Sequence, residues 1–328
     1  MRLGVNVGYV AGPDVAERVE TAVYAETLGY EVVWAAEAYG SDAPTMLSWI
    51  GSKTSTIGLG SAIMQIPART PAMTAMTAAT LDSLSGGRFR LGLGVSGPQV
   101  SEGWHGVRFD KPLGRTREYV DIVRTALRRE TVAYDGEHFT LPLPDGPGKA
   151  LKIMLHPYRP DIPVYLASVG PKNLELTGEI ADGWLAIFFA PEHAAVSTDP
   201  IRAGLERAGR DAASFDIVPT VPVIVGDDLQ ECAAPLRAYT ALVRRRDGQP
   251  QAELLQRTRQ ADGVRGRGGG DPGPLPRQAP ARCGGGRTVR ARRPDGADRS
   301  QGADRRTPAR VRRGRSHDAE RRLVRRDP

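Results

Sequence analysis

Residues 1–242 alternate short apolar runs with segments of helical length, and this alternation most constrains the fold. A strand followed each time by a helix is typical of βα units, whose strands pair in parallel. The pattern therefore predicts an α/β fold of the TIM-type (β/α)₈ barrel class, one unit short of closure. Strands are predicted at 2–8, 31–36, 56–63, 88–95, 163–167, 183–189 and 215–225, and helices at 14–28, 42–53, 71–84, 115–129, 171–180, 199–209 and 229–242.

Two regions depart from this rhythm. Residues 131–160 contain turn-forming residues at 134–137 and then a run rich in Pro and Gly, which predicts a hairpin and a loop over one face. After residue 242 no eighth unit follows, so both edges of a seven-stranded sheet would stay unpaired. We therefore expect an incomplete barrel over residues 1–243 and a separate segment over residues 244–328.

The segment 244–328 differs sharply in composition from the rest of the chain. It holds 24 Arg, no Lys and 10 Asp+Glu, a formal charge of +14, whereas residues 1–243 carry −7. It also has no Phe, Tyr, Trp, Ile or Met. Such a segment buries too little apolar surface to offset its ordering entropy, so we predict that it is disordered. The overall pI of about 9.6 reflects this tail and implies no nucleic-acid partner for residues 1–243.

The tail has two competing interpretations. It could be an Arg-rich arm that binds RNA or another acidic partner, but such arms usually contain Lys and aromatic residues as well. Alternatively, it is a barrel segment translated out of frame. If arginine codons are CGN, reading one base later from Val243 permits Tyr-Val-Gly-Gly-Met-Gly-Ser-Arg, and two further windows also permit globular sequence. We favour the frameshift, which would leave the chain as written without strand and helix eight and could make it inactive.

Other sequence features set the broad class of protein. Cys232 and Cys283 form neither a disulfide framework nor a metal-ligand spacing, so no metal site is expected. The first residues lack the apolar run of a signal peptide, and no stretch is long enough to span a bilayer. We therefore expect a soluble cytoplasmic protein with a small-molecule substrate and no membrane partner.

Three stretches carry a specific resemblance. They are VVWAAEAYGSDAP (32–44), ARTPAMTAMTAATLDSLSGGRFRLGLGVSGPQVSEGWHG (68–106) and VGPKNLELTGEIADGW (169–184). Together they resemble the luciferase-like monooxygenase superfamily, and within it the oxidoreductases that use the deazaflavin coenzyme F420. The likeness covers residues 1–242 nearly continuously. It implies a flavin-type cofactor, F420 or alternatively FMN, and a possible homodimer.

The resemblance also implies where the cofactor binds. In a parallel barrel the active site lies at the carboxyl ends of the strands. The helix start at Gly170 would hold the cofactor's phosphate, although without the resemblance an ordinary helix start with Pro near N1 would be the better interpretation. In relatives a non-prolyl cis peptide follows strand three, and ungapped matching places it at Ser61–Ala62. The resulting cofactor-binding candidates are Ser61, Ala62, Ser96, Gly97, Ser168, Val169 and Gly170.

The glycines Gly92, Gly94 and Gly97 match the dinucleotide pattern G-x-G-x-x-G, but they do not predict a dinucleotide site. That site needs its glycines in a turn that opens a helix, whereas Gly92 and Gly94 fall inside a predicted strand. Close packing is the better explanation for them.

Catalytic candidates are harder to assign. Many relatives have a histidine after the acid that ends strand two, whereas here Glu37 is followed by Ala38. Glu37 could act as an acid or base or be a satisfied structural carboxylate. Glu102 and His105 lie in a loop, where a surface role competes with catalysis. The candidates are Glu37, Tyr39, Glu102 and His105, with Phe188 and Phe189 as possible pocket walls.

The implied chemistry is hydride transfer between reduced F420 and an unsaturated organic substrate. An FMN-dependent monooxygenase on the same barrel is the alternative enzyme. In both, the cofactor performs the redox step while the protein binds and orients it.

Overall fold

The computed structural model describes residues 1–8, 10, 15–187 and 189–246, with no side-chain description for 238–246. Its strands are β1 Gly4–Gly8, β2 Val32–Ala35, β3 Gly58–Ser61, β4 Met64–Gln65, β5 Phe89–Gly94, β6 Tyr134–Asp135, β7 Thr140–Leu141, β8 Val164–Leu166, β9 Gly183–Ala186 and β10 Asp216–Pro219. Its helices are α1 Val15–Thr27, α2 Ala43–Gly51, α3 Pro71–Leu84, α4 Pro98–Ser101, α5 Pro112–Leu127, α6 Pro171–Ile180, α7 Ala194–Arg207 and α8 Leu229–Arg246.

The main sheet is a curled parallel sheet with the strand order β1-β2-β3-β5-β8-β9-β10, and β4 pairs additionally with β5. Every pairing within it is parallel. The predicted α/β class and the seven successive βα units are confirmed. Among the described residues, β1 and β10 each pair on one side only, so the sheet has two free edges.

The insertion between α5 and β8 forms the predicted hairpin. Strands β6 and β7 pair antiparallel, and Tyr134 lies opposite Leu141. The carboxylate of Glu118 on α5 accepts the backbone N–H groups of Glu137, His138 and Phe139 at 2.9–3.0 Å. This one side chain therefore fastens the turn of the hairpin to the barrel.

Some boundaries differ from the sequence predictions. The strand predicted at 215–225 ends at Pro219, since Pro219 and Pro222 have no backbone N–H to continue a ladder. Helix α7 begins at Ala194, five residues earlier than predicted, and continues through Pro200. The two-residue strand β4 was not predicted. No helix among the described residues combines the length and the apolar character that crossing a bilayer requires.

Two apolar layers hold the sheet. The outer layer lies between strands and helices and includes the fully buried Leu47, Ile50, Phe89 and Tyr119. The inner layer lies on the concave face and consists of Val32, Trp34, Tyr165 and Leu185, with Ala62, Ile63, Ala167 and Val218 packed against it.

Glycines make room for this inner layer. A Cβ on Gly60 would lie 2.2 Å from the Trp34 ring, and one on Gly92 would lie 1.9 Å from the carbonyl oxygen of Ser61. A Cβ on Gly94 would lie 2.5 Å from Ile63. Gly92 and Gly94 both lie within β5, which confirms that they serve close packing.

An ion-pair network lies at the amino-terminal ends of the strands. Arg2 contacts Asp216 on β10 at 2.7 Å and Glu31 at 3.3 Å, while Arg90 contacts Glu31 at 3.0 Å. The hydroxyl of Tyr165 donates to Asp216 at 3.1 Å. Burial, reinforced by the Asp216 charge, raises the pKa of Tyr165 to about 12. The Arg2–Asp216 pair links the residues just before β1 to the first residue of β10 through their side chains.

Candidate functional site

The predicted site residues follow the carboxyl ends of four parallel strands. Glu37 follows β2, Ser61 ends β3 with Ala62 next to it, and Ser96–Gly97 follow β5. Ser168–Gly170 lie between β8 and α6. Since neighbouring parallel strands end at the same edge of a sheet, the fold brings these segments to one rim.

Glu37 is buried, and both of its carboxylate oxygens have partners. Oε2 accepts the backbone N–H of Ala43 at 3.0 Å, and Oε1 accepts that of Gln65 at 2.9 Å. The Arg69 guanidinium binds the same carboxylate through two nitrogens. Glu37 thereby joins β2, the start of α2, β4 and the turn before α3. Of the two roles predicted for Glu37, these contacts match that of a structural carboxylate whose hydrogen bonds are satisfied.

Arg69 is itself held from the helix layer. The Tyr119 hydroxyl donates to the Arg69 carbonyl at 3.1 Å and shares a 2.6 Å hydrogen bond with Thr74. Burial raises the pKa of Tyr119 to about 12, so the hydroxyl stays a donor throughout the neutral range. The rim beneath Glu37 is therefore supported by α3 and α5.

Gln65 is a residue that the sequence analysis missed. Its buried amide lies between two predicted candidates, with Nε2 3.1 Å from Ser96 Oγ and Oε1 2.9 Å from His105 Nε2. Ser96 has a left-handed backbone with φ 60°, which is uncommon outside glycine and turns its residue away from the line of β5. Gln65 thus links the β5 loop and His105 to Glu37.

The non-prolyl cis peptide joins Ala62 to Ile63. The predicted position, Ser61–Ala62, is therefore wrong by one residue, because matching by sequence spacing contains no geometry of the turn. Ser61 is fully buried and exchanges hydrogen bonds of 2.9 Å with both backbone groups of Gly92. Ser61 thus faces β5, while Ala62 and Ile63 pack against the inner layer.

The segment before α6 has a different character. Ser168 is buried, shares a 2.5 Å hydrogen bond with Thr177, and accepts Trp184 Nε1 through its carbonyl at 2.9 Å. Gly170 is exposed and forms the N-cap of α6 without a side-chain hydrogen bond. No heavy atom beyond its chain neighbours lies within 4 Å of the place where a Cβ would stand. The positive end of this helix is therefore open to an anion.

The remaining candidates lie farther out. Tyr39 is 53% exposed. Glu102 is exposed, and its carboxylate accepts the backbone N–H of Phe109 at 3.0 Å, so it shapes its own loop. Phe189 packs edge-on against Trp184 at 6.1 Å, in the cluster with Leu174 and Ile201 between β9, α6 and α7. Phe188 lies outside the described residues. The structure thus joins Glu37, Ser96 and His105 through Gln65 and places Glu102 and Phe189 in other contacts.

Comparisons with known proteins agree with this fold. The family model described as luciferase-like monooxygenase matches residues 1–282. A Mycobacterium tuberculosis (strain H37Rv) protein, named as a putative coenzyme F420-dependent oxidoreductase, is 47% identical over 74% of this chain and 72% of its own length. The 5,10-methylenetetrahydromethanopterin reductase of Archaeoglobus fulgidus is 33% identical over 67% of this chain, which spans 63% of that relative.

A solved structure extends the comparison to three dimensions. The coenzyme F420-dependent tetrahydromethanopterin reductase of Methanopyrus kandleri matches with a TM-score of 0.62 and 25% identity, over 74% of this chain and 72% of that one. The barrel class predicted from the alternation of strands and helices is therefore confirmed by a solved relative.

Proposed function

Because the chain belongs to the luciferase-like monooxygenase family of enzymes, we propose that it is an oxidoreductase of the coenzyme F420-dependent class. Its proposed reaction transfers a hydride between the reduced deazaflavin and an unsaturated organic substrate. The names of the relatives support F420, since both the mycobacterial relative and the Methanopyrus structure are named for it. An FMN-dependent reaction remains the alternative, which the binding experiment below compares directly.

One observation carries the proposal: the N-terminus of α6 is open. Residues 170–172 offer a backbone that a phosphate can approach, because Gly170 has no side chain, no capping group and no neighbour near its Cβ position. Although Pro171 has no backbone N–H, a phosphate could there accept from the N–H groups of Gly170 and Lys172 and interact with the positive helix end. The residues present therefore fit the phosphate of a flavin-type cofactor, with Val169 and Gly170 as its holders.

The other candidates would orient the ring system. Ala62 packs at the concave face, and Ser96 presents a hydroxyl at the end of β5. When bound, the deazaflavin supplies the hydride-carrying carbon. The chain supplies an apolar floor through Trp34 and Tyr165, and polar groups on the rim through Ser96 and His105.

A charge placed at Gly170 tests this proposal. Gly170→Asp puts a carboxylate at the N-cap, where it satisfies helix N–H groups and interacts favourably with the helix dipole, so the fold is kept or stabilised. The same carboxylate repels a phosphate, so F420 affinity should fall at least about tenfold, roughly 1.4 kcal/mol. Gly170→Asn is the matched control, because it caps the helix without charge and repels no anion.

Binding is measured by fluorescence titration of the full chain with F420 and, separately, with FMN. Tight F420 binding that Gly170→Asp alone weakens supports the proposal. Wild-type F420 affinity in both Gly170→Asp and Gly170→Asn would remove α6 as the phosphate site. Binding of FMN but not of F420 would replace the proposed cofactor by its alternative.

We also propose that residues 244–328 come from out-of-frame translation. The composition of the tail supports this, as does the 74% of the chain that the mycobacterial relative covers, about the share that residues 1–243 make up. The family match ends later, at residue 282, so it does not itself mark the position of the proposed frame change. Sequencing the gene across the codons for residues 241–248 decides between one lost or gained base and an intact frame.

A further inference from the structure

The geometry points to Gln65 as the positioning residue that fixes where the protons lie on His105 and Ser96. The Gln65 amide is buried and lies between the two, 2.9 Å from His105 Nε2 and 3.1 Å from Ser96 Oγ. The inferred placement of the protons rests on these two contacts and on the orientation of the amide between them. Its consequence for catalysis rests on the proposed function.

Gln65 is well suited to this task because its own backbone is fixed. Its N–H donates to Glu37 at 2.9 Å, and Arg69 and the Ala43 N–H occupy the rest of that carboxylate. A buried amide loses free energy when its donor or acceptor has no partner. The side chain therefore keeps both contacts, and in the structure the amide is oriented with Oε1 toward His105 and Nε2 toward Ser96.

The two ends of the amide impose opposite polarities. The carbonyl oxygen can only accept a hydrogen bond, so the His105 Nε2 that faces it carries a proton. In the neutral imidazole Nδ1 then holds the lone pair. The amide NH₂ can only donate, so Ser96 Oγ accepts from it and keeps its own O–H free to donate elsewhere.

This arrangement fits the proton that must accompany hydride transfer. Addition of a hydride to an unsaturated carbon leaves an electron pair on the adjacent atom, and that atom must gain a proton. An imidazolium at His105 can release its Nδ1 proton to that atom while Nε2 stays protonated against Gln65. The product histidine is the neutral form just described, and solvent supplies the next proton. In the reverse direction Nδ1 takes up the proton.

The protonation pattern can be read directly by nitrogen NMR. The chain contains five histidines, so the full-length protein labelled with ¹⁵N-histidine gives few ring signals. His105→Gln identifies the signals of His105. We expect, in the neutral ring and without any cofactor, an Nε2 signal of the protonated type and an Nδ1 signal of the unprotonated type. The reverse assignment means that the amide is turned the other way, which overturns the inference.

Two substitutions at Gln65 separate positioning from packing. Gln65→Glu keeps an acceptor oxygen for His105, so the Nε2 proton should stay in place. Gln65→Leu removes the acceptor, so this proton should exchange with solvent and the ring should sample both neutral forms. Gln99→Leu, the same change at an exposed position of α4, should leave His105 as it is. His105 signals that do not respond to Gln65→Leu would also overturn the inference.

Activity gives an independent readout once a substrate is found. Gln65→Leu should lower kcat by at least about 100-fold with F420 affinity unchanged, within the range of a general acid or base, and Gln65→Glu should retain most of kcat. If the wild-type chain does not bind F420, the proposed F420-dependent function fails, while the NMR result on His105 still stands. If the chain binds F420 but the neutral His105 ring carries its proton on Nδ1, the inference about Gln65 fails and the proposed function stands.

Discussion

The two sides of the barrel differ in how completely their strand edges and buried polar side chains find hydrogen-bond partners. On the closed side, around β2, β3 and β5, strands pair on both edges, and the buried Glu37 carboxylate has three partners. On the open side, β1 and β10 each have one edge that no other described strand pairs with, and the residues after β10 expose Val221, Val223 and Val225 by 65–93%. The candidate site draws mainly on the closed side, so the open side should limit stability more than it limits binding.

Restoring the eighth unit should have the largest effect on this contrast. Replacing residues 244–328 by the sequence read one base later should raise Tm by about 10 °C or more, because a further strand and helix cover the open edges. Each valine side chain removed from water contributes about 1.5 kcal/mol. Calorimetry of the full chain measures the change. A chain ending at Arg246 is the control and should match the original, and an unchanged Tm in the restored chain contradicts the frameshift.

The second-largest effect is expected from removing the Glu37 carboxylate on the closed side. Glu37→Ala leaves the Arg69 guanidinium and two backbone N–H groups without their acceptor, so the free energy of unfolding should fall by about 3–5 kcal/mol. Urea denaturation measures it. The double variant Glu37→Leu/Arg69→Met should recover much of this loss, since no buried charge then stands alone. Equal losses in both variants would show that the two backbone N–H groups left without an acceptor, and not the unpaired guanidinium, account for the cost.

The closed side also predicts an acid dependence. Although desolvation opposes it, hydrogen bonds from the backbone of Ile57, Thr56 and Ser55 lower the pKa of Glu26 to about 2 from 4.5. A depressed folded pKa gives stability that is present above the unfolded pKa and is lost as the pH falls from about 4.5 to 2. Wild type should therefore exceed Glu26→Gln in stability at pH 6, with the difference vanishing near pH 2. A difference independent of pH contradicts this assignment.

The ion pair of the open side should matter least. Arg2 is 63% exposed where it meets Asp216, so Asp216→Asn should cost at most about 1 kcal/mol and less in high salt. Denaturation at two ionic strengths measures it. A loss as large as that of Glu37→Ala would mean that this pair contributes as much to stability as the buried Glu37 contacts do.

The sequence predicted the elements well where a period or a stop signal was present. Helix α3 was placed at its observed ends, between Pro71 and the glycines at 86–87, and α6 likewise between Pro171 and Ile180. Strand β10 ends six residues before the predicted end, because the valines at 221–225 follow a strand pattern while Pro219 and Pro222 lack the N–H groups that would continue the pairing. Apolar patterning therefore locates elements better than it ends them.

The candidate site was harder to predict because its contacts join distant parts of the chain. The role of Glu37 depends on Arg69, which lies 32 residues away, and no local pattern reveals that pair. Gln65 lies in a strand of two residues, too short to show any period. The one signal available for Gln65 was that it is a polar residue just after the predicted strand 56–63.

The floor of the barrel also constrains the order in which its residues can change. Trp34 fills the space above Gly60 and reaches Gly4. A Cβ on Gly60 would lie 2.2 Å from the Trp34 ring, and a Cβ on Gly4 would lie 3.1 Å from Trp34 Nε1. A side chain at position 60 is therefore blocked while the indole is present, and becomes acceptable once residue 34 is smaller. Descendants of this sequence must reduce residue 34 before they enlarge residue 60. Mutational history at these two positions should run in one direction.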